Sequence, residues 1–184
     1  MSGLESIELG IVIEQRKLSN PWQDYSWSPI SVIPGVDIMN SSGPWKLLRE
    51  GAGWKHFLIG SLTLELFRGE TEGYRYNLVN DPSFVYVVLS PGEEADDPEI
   101  VPFLATVCPY EAESYSENGE DIVEGVVMPT EINEWVQSFV ERFHVDQPFR
   151  KRKQKKAYDP RKSGFGRRGP NVRNVYDAGD NNEH

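Results

Sequence analysis

The sequence predicts an α+β protein. Its mostly antiparallel sheet has about six or seven strands in a sandwich or partly closed barrel, followed by one C-terminal amphipathic helix and a disordered basic tail. Short apolar segments with period two recur between residues 6 and 108. Residues 131–144 instead repeat with the period of a helix. Residues 150–184 combine few large apolar side chains with a block of like charges, which is typical of a chain that cannot bury a core.

The first two predicted strands are residues 6–17 and 27–33. Apolar residues alternate in the first strand with polar or small ones, as one buried face requires: Ile7, Leu9, Ile11 and Ile13. Pro34 and Gly35 end the second strand. Residues 37–53 contain several Gly and Pro breaks, and they predict mostly loop, with room for a short helical turn at 45–48.

The clearest strand patterns lie between residues 56 and 89. Residues 56–67 predict one long bent strand or two shorter ones. Residues 74–78 alternate apolar and polar side chains, and they predict the hairpin partner of that strand. Residues 84–89 are apolar without interruption, which predicts a central strand that is buried on both faces.

The next segments are more irregular. Residues 91–97 predict an acidic loop, and residues 100–108 a further strand. Pro102 cannot donate a ladder hydrogen bond, so it places the start of this strand at a sheet edge or a bulge. Residues 111–125 are acidic and irregular, with at most one helical turn at 111–115.

The helix over residues 131–144 is the element that the sequence supports best. Its apolar residues are spaced 3, 1, 3, 1 and 3 apart: Ile132, Trp135, Val136, Phe139, Val140 and Phe143. Thr130 is the predicted N-cap, and Pro148 ends the segment. We expect Trp135, Phe139 and Phe143 to pack against the sheet.

Charge divides the chain into two predicted domains. Residues 1–149 hold 8 Lys and Arg against 25 Asp and Glu, a net charge of −17, and form the predicted β-rich globular domain. Residues 150–184 hold 11 against 4, a net charge of +7, and form the predicted disordered tail. The tail fits a protein partner, a nucleic acid bound through its phosphates, or a solubilising end with no partner.

Two groups of residues are predicted to bind a partner. Trp22, Tyr25 and Trp27 cluster beside a proline turn, where they either anchor the core and its loops or form the exposed hot spots of an interface. The second group is the basic block at the start of the tail: Arg150, Lys151, Arg152, Lys153, Lys155 and Lys156.

No pattern in the sequence predicts a catalytic, cofactor-binding or metal-binding residue. Cys108, the single cysteine, lies in an acidic region, so a buried structural thiol is favoured over a nucleophile. The three histidines have no metal-ligand spacing, and no glycine-rich phosphate loop is present. The sequence therefore predicts a protein that is not an enzyme.

The sequence also predicts a cytoplasmic protein. No basic region precedes an apolar segment near the N-terminus, as a signal peptide would require. No apolar run approaches the length of about 20 residues that a membrane span needs. One cysteine allows no internal disulfide, which fits a reducing compartment.

Several blocks resemble an uncharacterised bacterial family, domain-of-unknown-function family three-three-zero-five. They extend over about residues 6–156: residues 11–14 with 20–24, 62–67 with 72–78, 107–112, and 145–149 leading into the basic block. The resemblance implies a gene neighbourhood, since family members are typically encoded beside formate dehydrogenase subunits and their maturation factors. Some members carry a label of molybdopterin-guanine dinucleotide biosynthesis. The family supplies no catalytic residues.

We therefore expect a non-enzymatic accessory protein for the assembly or maturation of a molybdenum-dependent formate dehydrogenase. Its expected partner, a formate dehydrogenase subunit or a maturation factor, is implied by the resemblance alone. The alternatives are a nucleic-acid-binding module that uses the basic tail, and a protein of molybdopterin-guanine dinucleotide biosynthesis.

Overall fold

The computed structural model describes residues 5–36 and 45–146. In this part of the chain, seven strands and three α-helices confirm the α+β prediction. The strands are β1 (Glu5–Asn20), β2 (Gln23–Pro34), β3 (Lys46–Gly51), β4 (Trp54–Leu66), β5 (Phe84–Pro91), β6 (Ile100–Thr106) and β7 (Ile122–Val127). The helices are α1 (Thr71–Leu78), which follows a 3-10 turn at Arg68–Glu70, α2 (Pro109–Ser116) and α3 (Thr130–Phe143).

The strands form two antiparallel sheets that pack in a sandwich-like arrangement. The first sheet has the order β2-β1-β4-β3, and the second has the order β6-β5-β7. β4 packs near β6 and β2 near β7, which brings the two sheets together. β5 is the central strand of its sheet, as its uninterrupted apolar sequence predicts.

One hydrophobic core lies between the sheets and α3. Its fully buried residues come from β1, β4, α1, β5, the segment after β6, and α3: Leu9, Ile11, Ile13, Leu64, Leu66, Tyr74, Val85, Val87, Leu89, Val107, Ile132, Val136 and Phe139. Complete burial of one such side chain stabilises the fold by about 1.5–3 kcal/mol. The period-two face of β1 and the helical stripe of α3 are therefore the two predicted features around which the core is built.

The prediction for α3 is confirmed, except for its N-cap residue and for the extent to which two of its aromatic side chains are buried. Pro129 occupies the N-cap position, and no side chain caps the helix, so Thr130 is not the N-cap. Phe139 is fully buried, whereas Trp135 and Phe143 are half-buried. The Trp135 indole N–H donates to Glu5 at 2.9 Å, which fastens the helix to the start of β1.

Two predictions in the first half of the chain are wrong. Residues 46–51 form β3, an edge strand in which all six residues are exposed, so no apolar alternation marks it. Residues 74–78 belong to α1 rather than to a strand. Tyr74 is buried while Tyr76 is 58% exposed, and the buried side chains of α1 recur with helical spacing at Thr71, Tyr74 and Asn77.

The acidic segment after Cys108 is also more regular than predicted. Pro109 starts α2, where the missing N–H of proline costs no hydrogen bond. Residues 122–127 form β7, which the sequence analysis missed and which pairs with β5. The prediction for Pro102 is confirmed, because it lies on the edge strand β6 beside a register irregularity.

The described residues up to Val145 belong to one compact unit, Met1–Val145. The predicted boundary at residues 149–150 and the basic tail lie outside the described residues. Within the described part of the chain, no helix is long and apolar enough to cross a membrane.

Candidate partner-binding surface

The four-stranded sheet is much longer than the sheet packed against it. At about 3.3 Å per residue, the 16 residues of β1 span about 50 Å, whereas the eight of β5 span about 25 Å. The buried core residues of β1 stop at Ile13. We name the remainder of this sheet, residues 14–28 and 45–57, the sheet end.

An aromatic row runs across the sheet end. Ring centroids lie 6.3 Å apart between Tyr25 and Trp27, and 5.3 Å apart between Trp27 and Trp45. Trp45 continues the row to Phe57 at 5.6 Å. Aromatic pairs at such distances add about 0.5–1.5 kcal/mol each beyond the area they bury. The row therefore makes the exposed margin of the sheet rigid.

The structure separates the three aromatic residues that the sequence analysis selected. Trp22 lies in the turn between β1 and β2 and is 91% exposed. Its backbone N–H donates to Asn20 Oδ1 at 2.9 Å, which fixes the turn. Tyr25 is 38% exposed, and Trp27 is half-buried within the row. Trp22 and Tyr25 thus fit the interface interpretation, and Trp27 fits the anchoring one.

Strand pairing adds charged residues to this surface. Lys17 lies opposite Tyr25, and Gln15 lies opposite both Trp27 and Lys55. Because directly paired residues share a face of the sheet, the two lysines lie on the face that carries the aromatic row. A cavity of about 130 Å³ opens here, lined by Gln15, Lys17, Tyr25, Gly51, Gly53, Trp54 and Lys55.

An ion-pair cluster lies on the other face of the sheet end. The carboxylate of Glu14 contacts His56 Nε2 at 3.0 Å and the Arg16 guanidinium at 2.8 Å. The hydrogen bond to His56, assisted by Arg16, lowers the pKa of Glu14. The His56 ring also packs on Trp54, with centroids 4.5 Å apart. Glu14 therefore holds Arg16 and His56 in place. The other basic residues of the sheet end remain available to a partner.

The sheet end is the basic part of a strongly acidic molecule. It holds five of the eight basic residues that the structure describes: Arg16, Lys17, Lys46, Arg49 and Lys55. It holds only three of the 24 described acidic residues, namely Glu14, Asp24 and Glu50. Its net charge is therefore +2, whereas the other described residues, with three basic and 21 acidic side chains, carry −18.

Cys108 is buried, as predicted. Burial raises the pKa of its thiol, so the neutral form is favoured at neutral pH. Its backbone N–H donates to Thr106 Oγ1 at 3.1 Å, and Thr106 in turn donates to Glu111. Burial, followed by the charge of Glu111, raises the pKa of Glu70 nearby. The hydrogen bond between Thr106 and Glu111 joins α2 to the end of β6.

A second cavity, of about 410 Å³, lies between the end of α1, the loop that leads to β5, and the start of α3. Its lining comprises Leu78, Val79, Asn80, Asp81, Pro82, Ser83, Met128, Thr130 and Asn133. The volume falls in the range of small-molecule sites. Its one ionisable side chain is Asp81, and the Ser83 hydroxyl in its lining donates to the Asn80 carbonyl at 3.2 Å and accepts from Asn133 at 3.3 Å. Among the described residues, no group of three or more His, Cys, Asp or Glu could hold a metal ion.

The sequence alone predicts part of the sheet end. Trp22, Tyr25 and Trp27 are close in sequence, and their spacing alone drew attention to them. Trp45, Trp54 and Phe57 join them only through the pairing of β3 and β4 with β1. The six predicted basic residues, Arg150, Lys151, Arg152, Lys153, Lys155 and Lys156, lie outside the described residues.

Comparison with known proteins gives a family without a described activity. A family model described as a protein of unknown function, DUF3305, matches residues 8–153. The curated proteins contain no match to the chain, and neither do the solved structures.

Proposed function

From the premise that this chain belongs to the DUF3305 family, we propose that it is a non-enzymatic accessory protein whose sheet end binds a protein partner. The proposed partner is a subunit of a molybdenum-dependent formate dehydrogenase, or one of its maturation factors. The gene neighbourhood implied by the family resemblance supplies this identity, and the surface chemistry supplies the mode of action.

The observation that carries the proposal is the exposure of Trp22. A tryptophan that is 91% exposed leaves a large apolar ring in water. Tryptophan, tyrosine and arginine are the residues that most often dominate binding energy in protein interfaces. Trp22 and Tyr25 offer two such side chains within four residues of one another.

The contacts that hold Trp22 and Tyr25 in place favour a role for these two side chains in binding. Asn20 holds the turn of Trp22, Tyr25 packs against Trp27, and Trp27 packs against Trp45. A surface that is already rigid loses less conformational entropy when a partner docks, so more of the contact energy remains as affinity. The sheet end has this property in its aromatic row.

Affinity purification from native cells tests the proposal. Wild-type protein should recover formate dehydrogenase subunits or maturation factors after nuclease treatment, and Trp22→Ala/Tyr25→Ala should recover at least tenfold less, which corresponds to about 1.4 kcal/mol. Phe103→Ala is the matched control, because Phe103 is 54% exposed on the other sheet. Equal recovery with the double variant, or no recovery with wild type, would argue against the proposal.

Gene deletion provides a test in the cell. Loss of the protein should lower formate dehydrogenase abundance, cofactor content or activity, and the wild-type and Phe103→Ala genes should restore them. The Trp22→Ala/Tyr25→Ala gene should not. If all three quantities are unchanged after deletion, the accessory role is wrong. GTP binding by the pure protein in calorimetry would instead favour molybdopterin-guanine dinucleotide biosynthesis.

A further inference from the structure

We infer that the cavity between Lys17, Lys55, Tyr25 and Trp54 is a subsite for a carboxylate side chain of an acidic peptide segment. The inference rests on the proposed function, because the segment belongs to the protein partner of the sheet end. It adds the chemistry by which that partner is recognised: a Glu or Asp in the cavity, with apolar side chains against Trp22 and the aromatic row.

The two lysines provide the charge for such a subsite. No ion pair within 4.0 Å joins Lys17 or Lys55 to any other residue that the structure describes. Glu50 lies opposite Lys55 in the strand pairing, but it forms no ion pair with it in the described structure. Both ammonium groups are therefore available to a carboxylate from outside, and a charged acceptor makes the stronger kind of hydrogen bond.

The turn between β3 and β4 forms one side of the cavity. Lys17 N–H donates to the Gly53 carbonyl at 2.8 Å, which joins β1 to the turn between β3 and β4. The Trp54 ring lies over Gly51 so closely that a Cβ there would sit 2.5 Å from ring atoms. Glycine at this position therefore leaves room for the Trp54 ring against the end of β3, beside the turn that borders the cavity.

The volume of about 130 Å³ sets the size of the occupant. Sites for drug-sized ligands and cofactors measure about 300–1,000 Å³, so this cavity is too small for them. One carboxylate side chain fits the space, and the rest of a peptide would lie along the exposed sheet end. The occupant is therefore one residue of a longer chain rather than a free cofactor.

The distribution of charge favours an acidic peptide over a nucleic acid. The sheet end carries +2 and the other described residues carry −18. A short acidic segment is directed to the sheet end because the other described residues together carry a large negative charge. A longer polyanion that extends beyond the sheet end would meet repulsion from the rest of the domain.

A peptide array on the full-length protein tests the inference. Each peptide of the array has nine residues, in which Glu or Asp alternates with one type of apolar residue, and that type differs from peptide to peptide. A neutral counterpart of each peptide carries Gln in place of Glu or Asn in place of Asp. Acidic members should bind and their neutral counterparts should not. Fluorescence anisotropy on the best member should show a loss of at least tenfold in affinity for Lys17→Gln/Lys55→Gln. If acidic and neutral members bind equally, or none binds, the inference is overturned.

The matched control is Lys46→Gln/Arg49→Gln, which removes the same charge from the opposite face of the sheet end and leaves the cavity lining intact. Its affinity should change less than about threefold, since exposed charges outside a contact act weakly through solvent. Equal losses in both double variants would mean that net charge, not the cavity, binds the peptide. Tighter binding of a twelve-residue oligothymidine that depends on Lys17 and Lys55 would also overturn the inference.

The two proposals can fail separately. Recovery of formate dehydrogenase subunits that is sensitive to Trp22 but unchanged by Lys17→Gln/Lys55→Gln would retain the accessory role and reject the carboxylate subsite. Cavity-dependent peptide binding without recovery of any formate dehydrogenase component would retain the subsite and reject the proposed partner.

Discussion

Asn77 shows how one buried polar side chain holds three elements in place. Its amide nitrogen donates to the carbonyls of Phe84 at 2.7 Å and Val107 at 2.9 Å. Its amide oxygen accepts the N–H of Phe84 at 3.0 Å. Asn77 is only 1% exposed, so water cannot replace these bonds. A single residue thereby fixes α1 to the start of β5 and to the end of β6.

We expect Asn77→Asp to destabilise the fold by about 3 kcal/mol or more, because a carboxylate has no donor for the two carbonyls. The replacement keeps the side-chain volume, so no cavity contributes to the loss. Urea denaturation measures the change in the free energy of unfolding. Asn80→Asp, at an exposed position on the following turn, is the control and should change it by less than about 0.5 kcal/mol. Similar stability of the two variants would refute this role of Asn77.

At the scale of elements, the sequence predicts those whose apolar pattern is long. The period-two face of β1 and the stripe of α3 bury residues over three or more repeats, so tertiary packing agrees with the local pattern. α1 has eight residues, and in so short a segment alternating Tyr74 and Tyr76 resemble a strand. β3 has no buried residue, so its existence depends on pairing with β4 and not on its own pattern.

The packing of α1 depends on a glycine at residue 73. A Cβ on Gly73 would lie 2.6 Å from Cys108 Sγ and 3.3 Å from the Tyr110 ring. We expect Gly73→Ala to destabilise the fold by about 1–3 kcal/mol through overpacking, even though alanine favours a helix. Gly69→Ala is the control, because no atom lies within 4 Å of a Cβ at that position.

A double-mutant cycle with Cys108→Ala identifies the cause. Removing Sγ relieves the close contact, so Gly73→Ala should cost much less in the Cys108→Ala background, and its helix preference should then become visible. Thermal or urea denaturation of the four proteins measures the coupling. Additive effects would show that the strain at residue 73 comes from elsewhere.

At the scale of the whole molecule, the sheet end differs in charge from the other described residues. Lys17 and Lys55, which are 38 positions apart in sequence, come together in the sheet end through the pairing of β1 with β4, and no local pattern predicts that they meet. Composition does predict an acidic domain, but only strand pairing shows where its few cations gather. The sequence therefore predicts Trp22 and Tyr25 as interface residues, but it does not predict the cavity beside them.

The position of the core predicts the outcome of removing the tail. Within the described residues, the buried members of the core cluster all lie between Leu9 and Val140. We therefore expect a chain of residues 1–149, which keeps all of them, to melt within about 3 °C of the full-length protein. It should also retain the affinity of the sheet end for acidic peptides.

A chain that ends at residue 138 is the contrasting case, since it lacks Phe139 and the last turn of α3. That loss alone removes about 3–5 kcal/mol, enough to unfold a domain of marginal stability. Thermal melts of the three proteins, followed by circular dichroism, test this prediction. A much lower melting temperature for residues 1–149 than for the full-length protein would mean that the tail contributes to the fold. The predicted domain boundary would then be wrong.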